Sequence, residues 1–545
     1  MIVKKAQLSN LLPFSEFFVV ISLLAVFMAV SFVGAFRIQL NLDSGCDEIM
    51  FIDPAINLYL GKGFNSSVWF AQTQDEFWAG YPPLYTFLLY LCLKTFGFSI
   101  GIPRILNIVL AAITTMLLWH GTIRLRLINT AQARILLVTL IIGIIGHGFN
   151  YRSGRPDILM ALLAATAFWG CSIHSVSTRC FFIAVISALF PWVGLASVAY
   201  SVMFGSIVTL FLRRKIAKEM LSVVLGLIIG AILLYCFYKN LGVWDSFLRS
   251  TLRNPSLTYK TGSIVSDLLQ SSGLKSRGSI MLTLISISIF IWKLVTKNNR
   301  FYSLSVFGLV SIICIPLAMC YLAAYPIYYT WMASIPLAIC ICADLSRLPD
   351  PRSNILPCNI LILSISPYHI LLFFIPIIFY LSFKLIRLFN LNLKQQLGNF
   401  MIVVSLFLWL NSPPARIVEL ATNWNQLDYA PVQEFVRRNI QPSDWVMTDF
   451  LPYYAVKQEA EVTMDMFYLR VMTNDEKERT SALIVQDNRV SEIIAVLGGT
   501  WYQTGDKLLI EAKQFYKEDK VEFNIYRRAG STSQSLKNEK GAKIN

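Results

Sequence analysis

Charged residues are scarce in this sequence, while apolar residues are abundant. Asp, Glu, Lys and Arg make up 14% of the 545 residues, and apolar residues make up 55%. One soluble core cannot bury an apolar fraction that is so large and so strongly clustered along the chain. The composition therefore excludes an ordinary soluble protein and predicts an integral membrane protein.

Signatures of several other protein classes are also absent. The ten cysteines are scattered, mostly within apolar runs, without CxxC or zinc-type spacing, and are interpreted as small core residues. The "LGG" at 497–499 lacks the G-x-G-x-x-G fingerprint, so nucleotide binding is not expected. The net charge of +15 could suit a nucleic acid, but Lys and Arg of multi-span proteins gather in cytoplasmic loops and beside lipid head groups. No nucleic-acid partner is predicted.

Apolar runs near the length of a membrane crossing recur from residue 16 to about residue 412. The first run lacks a cleavage site and follows Lys4 and Lys5, which predicts a retained helix with a cytoplasmic N terminus. The run at 82–97 is short, starts at a Pro pair and contains Lys94. It could cross the membrane or lie along its surface.

The positions of the basic loops favour one of these two arrangements. If residues 82–97 lie on the surface, the loops at 124–134, 213–215 and 297–300 all fall in the cytoplasm, as the positive-inside rule favours. The sequence then predicts a polytopic α-helical membrane domain over residues 1–412. It has about 13 crossings and outer loops at 37–102 and 239–278.

The composition changes after residue 412. Residues 413–528 alternate short β-rich runs with polar helical ones, which predicts a small soluble α/β domain outside the cytoplasm. Residues 529–545 are polar and predict a disordered tail.

Acidic residues cluster beside the first predicted crossing, in "DSGCDEIMFIDP" at 43–54. In this topology Asp47 and Glu48 lie on the outer face, and Asp157 of "NYRSGRPDILMA" opens a helix on the same face. Ionised carboxylates beside hydrocarbon are costly, so several of them suggest a function. The simpler interpretation is that each is solvated or complements a helix dipole.

Basic and aromatic residues accumulate on the same predicted face. His147, Arg152 and Arg155 flank Asp157, and the loop 239–278 carries Arg249, Arg253, Lys260, Lys275 and Arg277. A lipid phosphate or pyrophosphate would need such cations, and Arg binds its oxygens bidentately. Contact with anionic head groups is the alternative. Aromatic residues near these loops suit either an interfacial belt or stacking on sugars.

Four segments in order resemble the GT-C glycosyltransferases that use polyprenyl-phosphate sugars, in the branch of aminoarabinose transferase and the protein O-mannosyltransferase-like enzymes. They are "DEIMFIDPAINLYLGKGF", "YPPLYTFLLYLCLKTFG", "IPRILNIVLAAITT" and "GRPDILMALL", within residues 10 to 340. The resemblance implies a surface helix after the Pro pair. It also implies a catalytic acid in the first outer loop, matching Asp47 with Glu48 beside it, and a second functional acid matching Asp157.

Two departures from the family leave the phosphate contact open. The Glu-Lys pair that often precedes the two prolines is replaced by Gly80 and Tyr81, and the family's Thr-Lys is missing from "LFPWVGL" at 189–195. The candidates for substrate binding are Tyr81, Arg152, Arg155, Arg249, Arg253 and Lys260.

The chemistry implied is displacement of a phosphate from the anomeric carbon of the sugar, with inversion. Phosphate leaves without a strong acid, so the enzyme needs a carboxylate for the acceptor hydroxyl and positive charge for the leaving group. Asp47 is the preferred carboxylate, supported by Glu48 or Asp157, while Asp43 and Asp53 are interpreted as solvated or capping residues. A divalent cation between Asp47 and Asp157 would be compatible, but no metal ligands are identified.

The predicted partners are a polyprenyl-phosphate sugar donor, an unidentified glycan, lipid or protein acceptor, and membrane lipid. The expected location is the inner or plasma membrane, with the active site facing out of the cytoplasm. A transporter or flippase of a lipid-linked or anionic solute is the alternative function, and a structural membrane subunit is a third.

Overall fold

The computed structural model describes residues 14–38, 45–147, 152–194, 217–253 and 413–513 of the chain. It also describes the shorter stretches 335–336, 338–340, 342–343, 346, 518–530 and 543–544. The part before residue 254 is a helical bundle, and residues 413–530 form a mixed α/β domain.

The bundle contains helices whose lengths follow the apolar runs of the sequence. α1, for example, has no charged residue between Glu16 and Arg37. The helices are α1 Phe14–Ala35, α2 Gly45–Tyr59, α3 Leu84–Phe96, α4 Gly101–Arg124, α5 Ala131–His147, α6 Asp157–Gly170, α7 Val176–Leu189, α8 Ala217–Asn240 and α9 Trp244–Leu248. A π-helical turn, Arg249–Arg253, follows α9.

Three of these helices are long and apolar enough to cross a membrane: Glu16–Ala35, Gly101–Arg124 and Lys218–Asn240. Four shorter apolar segments, Leu84–Phe96, Ala131–Ile142, Asp157–Gly170 and Val176–Trp192, accompany them. The membrane class predicted from composition is confirmed. The total of 13 crossings stays a prediction, because residues 195–216, 254–334 and 347–412, in which further crossings are expected, lie outside the described residues.

Helices α1 and α4 run antiparallel along their whole length. The Arg104 Nη1 at the start of α4 donates to the carbonyl of Ala35 at 3.0 Å. At the other end, the Trp119 Nε1 donates to Glu16 Oε1 at 3.0 Å. The chain therefore returns, between α1 and α4, to the end of the bundle at which α1 finished.

The position of α3 follows from this arrangement. It has 13 residues, about 20 Å of helix, which is shorter than the roughly 30 Å of hydrocarbon in a bilayer. Since α1 ends where α4 begins, α3 does not cross the bundle, as expected of a surface helix. Thr86 on α3 donates to the carbonyl of Phe51 on α2 at 3.4 Å.

The α/β domain contains a six-stranded sheet in the order β2-β1-β3-β5-β4-β6, with β1 parallel to β2 and β3 and the other pairs antiparallel. Its strands are β1 Trp445–Thr448, β2 Val462–Asp465, β3 Ala482–Val485, β4 Trp501–Lys513, β5 Glu518–Arg528 and β6 Lys543–Ile544. Its helices are α10 Pro413–Thr422, α11 Ala430–Asn439, α12 Tyr453–Glu459, α13 Asn474–Arg479 and α14 Asp487–Leu497.

Both faces of this sheet are covered, and the two faces belong to different cores. On β3, Ala482 and Ile484 pack in the core that continues into the helical bundle, whereas Leu483 and Val485 pack in a separate core with α14. The alternation follows from the period of two in a strand. The α/β domain is thus joined to the bundle through a shared apolar core.

The tail prediction is wrong for two residues. Residues 529–545 were expected to be disordered, but Lys543–Ile544 form β6, which pairs with Tyr502 and Trp501 at the edge of the sheet. Residues 531–542 lie outside the described part of the chain.

Candidate active site

The first turn of α2 carries the acidic pair that the sequence singled out. Asp47 lies in this turn, and only its backbone is described. Glu48 is buried, with 2% exposure. Its carboxylate accepts from Arg104 Nε at 3.2 Å, from Arg104 Nη2 at 3.4 Å and from the Tyr454 hydroxyl at 2.5 Å. Arg104 and Tyr454 therefore stabilise Glu48 from two different domains.

Asp157 opens α6 and forms a buried ion pair with Arg155. The Nε of Arg155 donates to Asp157 Oδ2 at 2.9 Å, and the two side chains are 4% and 2% exposed. The loop before α6 packs against α4, because Asn107 Nδ2 donates to the carbonyl of Arg155 at 2.8 Å and to that of Ser153. This loop therefore lies at the same end of the bundle as the start of α4.

The structure brings the Glu48 and Asp157 segments together, as the crossing count predicted. A Cβ on Gly154 would lie 2.5 Å from Ile52 Cγ2, so only glycine allows the loop to pack this closely on α2. The same hypothetical atom would lie 3.6 Å from Glu48 Cγ. The Tyr85 hydroxyl, on α3, is within electrostatic range of both Glu48 and Asp157.

Aromatic side chains line the neighbouring face of α2. Phe51 lies edge-on to Tyr81, with ring centroids 5.0 Å apart, and the Arg155 guanidinium lies 5.6 Å from the Phe51 ring. A Cβ on Gly194 would lie 2.4 Å from the Tyr81 hydroxyl oxygen, so glycine is needed there too. Trp69 also contacts Phe51, at 6.1 Å between centroids. Tyr81 and Arg155, both predicted substrate ligands, thus both lie beside the Phe51 ring.

The remaining predicted ligands are more dispersed. Arg249 is exposed, and its Nη2 donates to Ser246 Oγ at 2.9 Å. Ser246 in turn donates to Glu76 Oε2 at 3.1 Å. Arg152 is half-buried, in the loop before α6. For Arg253 only the backbone is described, and Lys260 lies outside the described residues.

No group of three or more His, Cys, Asp or Glu side chains that could bind a metal ion occurs within the described part of the chain. The possible cation between Asp47 and Asp157 remains a prediction, because the side chain of Asp47 is among those not described.

The interpretation of Asp53 as a solvated or capping residue is wrong. Asp53 has no exposed surface. Its Oδ1 accepts from Lys457 Nζ at 2.5 Å and from the Tyr453 hydroxyl at 2.5 Å, and its Oδ2 accepts from Ser66 Oγ at 2.8 Å and from the backbone N–H of Ser67 at 3.1 Å. Asp53 therefore binds α12 of the α/β domain. The sequence did not reveal this contact, because the two segments are far apart along the chain. Asp43 lies outside the described residues.

Further polar contacts join the α/β domain to the segments between α1 and α3. Ser67 Oγ donates to the carbonyl of Thr463 at 2.6 Å, and Gln74 Nε2 donates to Glu476 Oε1 at 2.8 Å. Arg37 forms an ion pair with Asp428 at 3.2 Å. The α/β domain thus covers the end of the bundle at which Glu48 and Asp157 lie.

The α/β domain has an unusual carboxylate of its own at the end of β2. Burial raises the pKa of Asp465 to about 7, although its carboxylate accepts from the backbone N–H of Phe467 at 2.9 Å. The negative charge of Asp449 raises this pKa further, while Arg489 opposes the shift. Burial also raises the pKa of Asp449, whose ion pair with Arg489 spans 2.8 Å.

Sequence reasoning missed the two partners of Glu48. Arg104 carried a usable signal, since no other charged residue occurs in α4 before Arg124, and a buried charge in an apolar helix needs a partner. Tyr454 carried none. It lies 406 residues from Glu48 in the chain, and tyrosine is common in small α/β domains.

The described fold is that of a helical membrane protein with a C-terminal α/β domain, and a comparison with solved structures identifies a protein of similar fold. No family model matches the chain, and no curated protein matches it. Its structure is similar to one described as the crystal structure of ArnT from Cupriavidus metallidurans bound to undecaprenyl phosphate. The TM-score is 0.54, the sequences are 12% identical, and the match covers 92% of this chain and 97% of the ArnT chain.

A match over nearly the whole of both chains establishes the overall fold. The chain has a GT-C-like membrane fold with a C-terminal sheet domain, which confirms the resemblance at the level of fold. With a sequence identity of 12%, the match concerns the fold and not a particular branch or the roles of single residues.

Proposed function

We propose that this protein is a membrane glycosyltransferase that moves a sugar from a polyprenyl-phosphate donor to an acceptor hydroxyl. The observation that carries the proposal is the placement of the first turn of α2 and the start of α6, with their acidic residues, at one end of a GT-C-like fold. The similar ArnT structure, described as bound to undecaprenyl phosphate, supports a donor of the same lipid class. The site would face out of the cytoplasm.

In this proposal Asp47 is the carboxylate that orients or deprotonates the acceptor hydroxyl. Glu48 is less suited to that role, because its carboxylate is buried and its oxygens already accept three hydrogen bonds from Arg104 and Tyr454. Asp157 would keep Arg155 in place beside the donor. Glu48 then supports Asp47 rather than reacting itself.

Positive charge for the leaving phosphate would come from Arg155 and from the basic residues around it. Arg155 is buried beside Phe51, where its attraction for a phosphate is less screened than in water. Arg152, Arg249, Arg253 and Lys260 would add charge around the entrance. Arg104 is not proposed for this role, since its Nη1 donates to the carbonyls of residues 35 and 37 and its other nitrogens donate to Glu48.

A flippase or transporter is the second candidate, and the distribution of charge disfavours it. Transporters place charged groups and broken helices near mid-membrane. In the described part of the bundle, each ion pair that joins two residues of the bundle involves residues in the first turn of a helix or just before it. These pairs are Glu16–Arg134, Glu48–Arg104, Arg155–Asp157 and Arg179–Glu219. Such positions stabilise helix ends rather than line a central path.

Transfer from a panel of radiolabelled undecaprenyl-phosphate sugars to membrane extracts tests the proposal. Purified protein should transfer at least one sugar, and Asp47→Asn should lower kcat by about 10²- to 10⁴-fold, the usual contribution of a general base. Asp157→Asn should lower it as well. Asp245→Asn, at an exposed carboxylate of α9, is the matched control and should retain activity.

Two outcomes would contradict the proposal. Native rates in both Asp47→Asn and Asp157→Asn would refute the site. Movement of a labelled lipid-linked sugar across proteoliposomes, without transfer to any acceptor, would favour the flippase.

A further inference from the structure

Two adjacent tyrosines of α12 bind two different carboxylates of α2. The Tyr453 hydroxyl donates to Asp53 Oδ1, and the Tyr454 hydroxyl donates to Glu48 Oε1, each at 2.5 Å. Both tyrosines are at least 95% buried. Since α12 follows directly on β1, the sheet of the α/β domain determines where both hydroxyls lie.

The two carboxylates differ in their distance from the candidate reactive group. Asp53 lies in the middle of α2, six residues beyond Asp47 in the printed sequence. Glu48 is the next residue after Asp47, in the same first turn. A helical turn is rigid, so a displacement of Glu48 also displaces the backbone of Asp47.

The surroundings of Glu48 suit a group that positions rather than reacts. The cavity beside it, lined by Glu48, Arg104, Tyr429 and Tyr454 among others, measures about 10 Å³. No sugar ring fits in this volume. The Phe98 ring stacks on Tyr454 at 6.1 Å between centroids and closes the same junction.

We propose that Tyr454 is a positioning residue through which the α/β domain completes the active site. Its hydrogen bond and the Arg104 guanidinium together hold Glu48, and Glu48 fixes the backbone of the first turn of α2, to which Asp47 belongs. This inference rests on the proposed transferase function only for its catalytic consequence. The mechanical part concerns the order of the first turn of α2.

The experiment compares Tyr454→Phe with Tyr453→Phe in the full-length protein. Each variant removes one hydroxyl that donates to one buried carboxylate of the same helix, so their costs in stability should be similar. Tyr454→Phe should lower kcat by about 10- to 100-fold and change the donor KM by less than about twofold, because small misplacements of a reactive group are costly to the chemical step. Tyr453→Phe should retain the native kcat.

Amide hydrogen exchange provides a readout that does not depend on activity. In Tyr454→Phe the amides of residues 45–50 should exchange at least about tenfold faster than in the native protein, since local opening frees an exchanging amide. In Tyr453→Phe they should exchange at the native rate.

The outcomes separate this inference from the proposed function. Unchanged exchange over residues 45–50 in Tyr454→Phe would overturn the positioning role. An equal loss of kcat in both variants would also overturn it, because docking in general would then explain the effect. Faster exchange in Tyr454→Phe alone, in a protein that transfers no sugar from the panel, would support the positioning role and count against the transferase.

Discussion

Replacing Asp53 by Asn should weaken the attachment of the α/β domain to the helical bundle. The Asp53 and Lys457 side chains are 0% and 3% exposed, and their ion pair spans 2.5 Å. The substitution removes the negative charge and leaves the Lys457 ammonium buried without a carboxylate. Loss of one partner of a buried pair costs about 3–5 kcal/mol.

The opposite substitution, Lys457→Met, should cost less. Asp53 would still accept hydrogen bonds from Tyr453, Ser66 and Ser67, so its charge would remain stabilised. We expect a loss of about 1–3 kcal/mol, the cost of one hydrogen bond to a charged group. The double variant should be more stable than Asp53→Asn alone, since it buries no unpaired ammonium.

Thermal unfolding of the purified protein in detergent measures these differences. At roughly 2–4 °C per kcal/mol, Asp53→Asn should lower the apparent Tm by about 10 °C. Glu434→Gln is the matched control, because it removes a carboxylate from an exposed ion pair with Arg437, and such pairs contribute little. A Tm of Asp53→Asn equal to that of the control, or a double variant less stable than Asp53→Asn, would refute the reasoning.

Three further predictions concern other parts of the molecule. Because burial raises the pKa of Asp465 to about 7, the folded protein keeps a proton that the unfolded chain releases near pH 4, so stability should fall as the pH rises from about 4 to 7. Asp465→Asn should flatten that fall, measured as Tm between pH 5 and 8; an unchanged slope would contradict it. Gly194→Ala should displace the Tyr81 hydroxyl, which lies 2.4 Å from the added Cβ. It should therefore raise the donor KM, with little change in the Tm. Glu16→Gln should lower the free energy of unfolding by about 1.5–3 kcal/mol, because the half-buried Arg134 guanidinium loses its carboxylate partner. The folded fraction should keep the native kcat, because this pair lies at the end of the bundle away from the candidate site.

The class of the protein could be predicted because it depends on composition and local pattern. An apolar run such as that of α1 has few alternatives to a buried or membrane-spanning helix, and the alternating runs after residue 412 predicted the α/β domain. The start of α6 at Asp157 and the failure of α3 to cross the bundle also followed from local signals, namely helix-start chemistry and the placement of basic loops.

The contacts of the acidic cluster could not be predicted in the same way. Asp53 was interpreted as a solvated or capping residue, yet it is buried and its partner Lys457 lies 404 residues away in the sequence. The role of Glu48 was left open for the same reason, since Tyr454 lies 406 residues away. A carboxylate in a loop and a carboxylate under a second domain have the same local sequence signature.

The amino-acid sequence was enough to predict a membrane protein, a C-terminal α/β domain, and two acidic segments at the same end of the bundle. These properties depend on hydropathy, charge and periodicity, which are local and additive along the chain. Only the tertiary structure decided that Asp53 binds the α/β domain and that Glu48 joins Arg104 to Tyr454. The reason is physical: the cost of burying a charge depends on partners that the fold alone brings within hydrogen-bonding distance.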